Sequence, residues 1–108
     1  MIESTVKRVV SLANEVLKEQ MERSEYQVYE SGGGGQIFIK AVAALAVGIL
    51  ETNATKDSVT DAVLLADTVL MEQMYASHYL VYESSGGGQI YIMAVATLAA
   101  GILRTDAK

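Results

Sequence analysis

An all-α fold built from two tandem helical hairpins is predicted by three features of the sequence. Apolar residues recur every three or four positions through long segments, proline is absent, and the chain repeats itself at a shift of about 53 residues. The repeat pairs Val6 with Val59 and runs without a slip to Ala54 and Ala107, with roughly three in five residues identical. A duplicated unit of this kind predicts one domain over 1–108, made of repeats at about 3–55 and 56–108. It also predicts four helices related by an approximate two-fold and completed by oligomerisation.

The first helix is expected over 4–30. Val6, Val9, Val10, Ala13, Val16, Leu17, Met21 and Val28 fall on one face, and Ser4 or Thr5 can accept hydrogen bonds from the first free N–H groups. "YQVY" is β-prone, and a glycine-closed β-hairpin over 26–39 is the competing local reading. Helix is preferred because the period of the apolar face does not change before Val28, and the following "AVAALAVGIL" is alanine-rich. The glycine-rich turn "SGGGGQ" can end the first helix in a left-handed conformation and reverse the chain. A phosphate cradle would also want the lysine and hydroxyl that follow the glycines of a P-loop, and both copies of the turn lack them.

The second helix, over 36–52, contains the most unusual segment. From Ile37 to Leu50 the only charge is Lys40. The third helix, over 57–83, repeats the first face as Val59, Ala62, Val63, Ala66, Val69, Leu70, Met74 and Val81, with Asp57 or Ser58 as cap. The fourth, over 89–105, repeats the apolar segment at 90–103 and replaces Lys40 by Met93.

An apolar helix of about 21 Å is too short for a hydrocarbon layer of about 30 Å, so a membrane span is disfavoured. One two-layer bundle covers only half of such a helix. About four large side chains would stay wet, each worth about 1.5–3 kcal/mol on full burial. The expected partner is therefore another copy of the chain, through the apolar helices 37–50 and 90–103. Candidate contact residues are Ile37, Phe38 and Leu45, with Ile90, Tyr91 and Leu98 in the second copy. The small residues Ala41, Ala44 and Gly48, matched by Ala94, Thr97 and Gly101, let backbones approach closely. Periodicity alone leaves open whether those stripes face the helix within the chain or a neighbour. Where the first repeat has Lys18, Glu22, Arg23, Glu25 and Lys40, the second has Met71, Tyr75, Ala76, His78 and Met93. Loss of charge at five positions marks Met71, Tyr75 and His78 as a further candidate contact.

Composition narrows function further. A net charge of −5 disfavours nucleic acid, and no basic cluster flanks the apolar runs to hold anionic lipid. There is no cysteine and one histidine, His78, which has no carboxylate at the helical spacing a metal site uses. Glu19, Glu22 and Glu25 align at i+3, but the second repeat keeps only the first of them, as expected of a solvated edge. Tyr26, Tyr29, Tyr79 and Tyr82 cluster toward the hairpin tips, where core packing is the expected role. No catalytic, cofactor or metal residues are assigned, and the expected function is that of a non-enzymatic structural or scaffolding protein. "MIESTVKRVV" lacks the pattern of a secretory signal, so a cytoplasmic location is expected. The alternatives are a helical module holding a small hydrophobic ligand between Met21, Met74, Tyr29 and Tyr82, or a membrane-active, toxin-like hairpin.

Overall fold

The computed structural model describes residues 2–23, 34–77 and 87–107. Among them are four α-helices and no strand: α1 (Ile2–Arg23), α2 (Gly34–Thr52), α3 (Lys56–Ser77) and α4 (Gly87–Asp106). The described residues are all-α, as the periodicity predicts. The expected extensions of the first helix to 30 and of the third to 83 lie outside the described residues. So does 26–33 of the competing hairpin, whereas 34–39 is helical.

Two helix starts differ from expectation. α1 begins at Ile2, which places Ser4 and Thr5 inside the helix and not at its cap. α3 is capped by Thr55, not by Asp57 or Ser58. The Thr55 hydroxyl oxygen accepts the Ser58 N–H at 3.2 Å, and the first helical bond runs from Val59 N–H to Thr55 O at 2.9 Å. Asp57 sits in the first turn, where a negative charge favours the exposed N–H groups. α2 ends at Asn53, which takes φ of 55° and donates its N–H to Ile49 O at 2.7 Å. Asparagine tolerates that left-handed conformation better than other non-glycine residues, and so closes the helix without glycine. Gly34 and Gly87 are the first helical residues of α2 and α4, so part of each glycine run is helix and not turn.

Burial follows the three-and-four spacing in part, since Val6, Val10 and Val69 of the expected faces are exposed. α1 contributes Val9, Ala13, Val16 and Leu17 to the core, and α3 contributes Val59, Ala62, Val63, Ala66 and Met74. α2 packs on α4, α1 on α2, α3 on α4, and α1 on α3, so the helices form a four-membered ring. Gly48 lies against Ala100, and Arg104 Nε donates to Glu51 Oε1. Position numbers thus rise together along α2 and α4, and the two helices run in the same direction. A cleft lined by Ser58, Asp61, Leu65, Ile102 and Asp106 sets the start of α3 beside the end of α4, so that pair is antiparallel. Lys56 bonds Glu15 and lies 3.5 Å from Glu19, tying the start of α3 to the later turns of α1. The Glu15 hydrogen bond, despite some desolvation, leaves the Lys56 pKa above its ordinary value. The radius of gyration, 13.5 Å, is that of a compact domain of this length.

Candidate functional site

Apart from His78, the candidate contact residues lie on α2, α3 and α4, and the structure separates them into enclosed and open groups. Ala41 and Leu45 are fully buried, and Gly48 is buried against α4. A Cβ placed on Gly48 would sit 2.8 Å from the Ala100 Cβ and 2.9 Å from its Cα, so only glycine permits this approach of α2 to α4. The small stripe of the first repeat therefore serves a contact within the chain. Ile37, Phe38 and Ala44 are half-buried, and Phe38 packs on the core.

The matching stripe of the second repeat faces outward. Ala94 and Thr97 are exposed, Leu98 is 37% exposed, and a Cβ on Gly101 would meet nothing within 4 Å. Ile90, at 59%, is open as well, whereas Tyr91 is buried in the core. Further exposed apolar side chains were missed by sequence reasoning: Ile39 at 60%, Val47 and Leu50 on α2, and Leu64, Leu65 and Val69 on α3. The α2 set carries only a weak signal, because Lys40, two turns before Val47, is the single charge between Ile37 and Leu50.

Of the residues where charge is lost between repeats, Met71 and Met93 are half-buried and pack on the core. Tyr75 is 57% exposed, and His78 lies outside the described residues, as do Tyr26, Tyr29, Tyr79 and Tyr82. The structure thus uses Met71 inside the chain and leaves Tyr75 at the surface.

Beside the core, the Tyr91 hydroxyl donates to the Asp67 main-chain carbonyl at 2.9 Å. Asp67 Oδ1 is buried with no hydrogen-bond partner among the described residues. Burial raises the Asp67 pKa above the ordinary carboxylate value, opposed by the Tyr91 hydroxyl and the Arg23 charge. A raised folded-state pKa means that the native state holds the proton more tightly than the unfolded chain. Stability is then lost as pH rises through the interval from the ordinary value to the raised one. The equivalent residue of the first repeat is Asn14. Asp67→Asn is accordingly expected to raise thermal stability at pH 7, by under about 1 kcal/mol because the group is partly solvated. Melting curves followed against pH should show that gain vanish below the ordinary carboxylate range. A gain that persists in acid would contradict the assignment.

Among the described residues no group of His, Cys, Asp and Glu is placed to hold a metal ion, and Glu19 is engaged with Lys56. The cleft between α3 and α4 measures about 140 Å³, and the ligand site expected between Met21, Met74, Tyr29 and Tyr82 falls partly outside the described residues. Among the described residues no helix is long and apolar enough to cross a membrane. No family model matches the chain, and neither a curated protein nor a solved structure does so.

Proposed function

We propose that the chain is a non-enzymatic structural protein, a duplicated pair of αα-hairpins that associates with copies of itself through α2 and α4. The observation that carries this reading is the set of large apolar side chains left open on those two helices: Ile39, Val47, Leu50, Ile90 and Leu98. They recur along helix faces and are not scattered singly, which is the arrangement that marks contact sites. Each is worth about 1.5–3 kcal/mol on passing from water to full burial. The partial exposure of five of them is comparable with the lower range of the cost of association, about 4–15 kcal/mol. A single junction is therefore weak, and assembly depends on concentration. An acidic net charge of −5 keeps the subunits soluble before they meet.

Negative-stain electron microscopy of the purified chain over a series of concentrations tests this reading. Particles much larger than one chain, growing with concentration, are expected. Fields without assemblies at every concentration would remove it.

A further inference from the structure

Because the unit is written twice, each residue of the first repeat has an equivalent in the second, and the two can be compared for burial. One face is used alike in both. Val42 and Ala46 are buried in α2, as are their equivalents Val95 and Ala99 in α4. The two flanks of that face are used in opposite ways. The flank of Ala41, Leu45 and Gly48 is buried, whereas its equivalent, Ala94, Leu98 and Gly101, is exposed or half-exposed. The other flank reverses this: Ile39, Val47 and Leu50 are open, whereas Ile92, Ala100 and Leu103 are buried. The outer helices show the same reversal. Val16 and Gln20 of α1 are buried while Val69 and Gln73 of α3 are exposed. Conversely, Val6 and Val10 of α1 are exposed while Val59 and Val63 of α3 are fully buried.

The first flank of repeat 1 thus meets the second flank of repeat 2 inside the chain, at the Gly48–Ala100 contact, so this contact does not follow the expected approximate two-fold. Still open are the first flank of repeat 2 and the second flank of repeat 1, which the sequence makes a matching pair. We infer that repeat 2 of one copy docks on repeat 1 of the next, in the manner in which repeat 1 docks on repeat 2 within one chain. This deepens the self-association reading and rests on it. Such a contact is heterologous. When its rotation does not close a ring it generates an open polymer, not a dimer.

Gly101 takes the place of Gly48 at this junction and meets Val47 of the next copy, as Gly48 meets Ala100. Nothing of its own chain occupies that space. Val47 is bulkier than Ala100, so the junction is wider than the internal contact. Charge agrees with the pairing at the C-terminal ends of α2 and α4. Glu51 and Arg104 are equivalent positions that already bond each other within the chain, and both are about half exposed. Docking sets Arg104 of one copy beside Glu51 of the next, so opposite charges alternate along the polymer. The Lys56 contact to Glu15 and Glu19 is not repeated, since Glu3 stands at the equivalent of Lys56, opposite Thr68 and Glu72. Lys7, paired to Glu3 at 3.2 Å, supplies the nearby positive charge there. The junction rests mainly on α2 and α4.

Two variants block one flank each, at positions exposed in the single chain: Val47→Glu on repeat 1 and Leu98→Glu on repeat 2. Gly101→Leu serves in place of the latter should Leu98→Glu lose helicity by circular dichroism. Sedimentation velocity, at a concentration where the unaltered chain assembles, is expected to show each variant alone as a monomer. Their equimolar mixture is expected to form a dimer and stop there, because it offers one intact junction. A variant that dimerises alone would show like flanks pairing and overturn the proposal, as would a mixture that stays monomeric. An unaltered chain that is monomeric at all concentrations would instead contradict the self-association reading itself.

Discussion

Leu45→Ala is expected to cost about 2–5 kcal/mol of folding stability, whereas Leu98→Ala costs about 1 kcal/mol or less, although the two leucines occupy equivalent positions. Leu45 is 0% exposed and stands in the core, so its removal leaves a cavity that neighbouring side chains only partly fill. Leu98 is 37% exposed and has less contact to lose. Against a total stability of about 5–15 kcal/mol, the first change removes a large share of what holds the fold. Denaturant melts at low protein concentration read the difference as a shift in midpoint. The effects on assembly run the other way: Leu98→Ala should weaken association while the helices persist. Equal stability losses at the two positions would contradict the unequal burial of the repeats.

The second large effect concerns glycine and has opposite signs at equivalent sites. Gly48→Ala is expected to destabilise by about 1–3 kcal/mol. The new methyl would lie 2.8 Å from the Ala100 Cβ and 2.9 Å from its Cα, which is backbone, so α2 and α4 must separate. Gly101→Ala is expected to stabilise by up to about 1 kcal/mol, because alanine favours the helix and the space beside it is open. Thermal melting of the two variants at a concentration too low for assembly checks both signs. A stabilised Gly48→Ala would mean that the close helix crossing is not there.

The four helices of the described residues, and their starts to within two residues, were legible because Val9, Ala13, Val16 and Leu17, with Ala62 and Ala66, keep to one face. The Thr55 cap was passed over for Asp57 and Ser58, since three of the four residues from 55 to 58 can cap and only the backbone geometry chooses among them. Contacts such as Tyr91 to Asp67 join residues 24 positions apart, and local spacing carries no trace of them. The flanks of α2 and α4 were illegible for a deeper reason. Ala41 and Ala94, or Leu45 and Leu98, are the same residue in nearly the same local sequence, yet one of each pair is buried and the other exposed. Tertiary context alone breaks that equivalence, so no pattern within one repeat encodes it. The expectation that one chain cannot enclose both apolar helices came from composition, and the open side chains of α2 and α4 agree with it.

Sedimentation velocity of the unaltered chain across a wide concentration range tests most directly whether other copies cover those open flanks. A sedimentation coefficient that climbs with concentration, without settling on one species, is the predicted result. A single boundary with the mass of one chain at every concentration would contradict it.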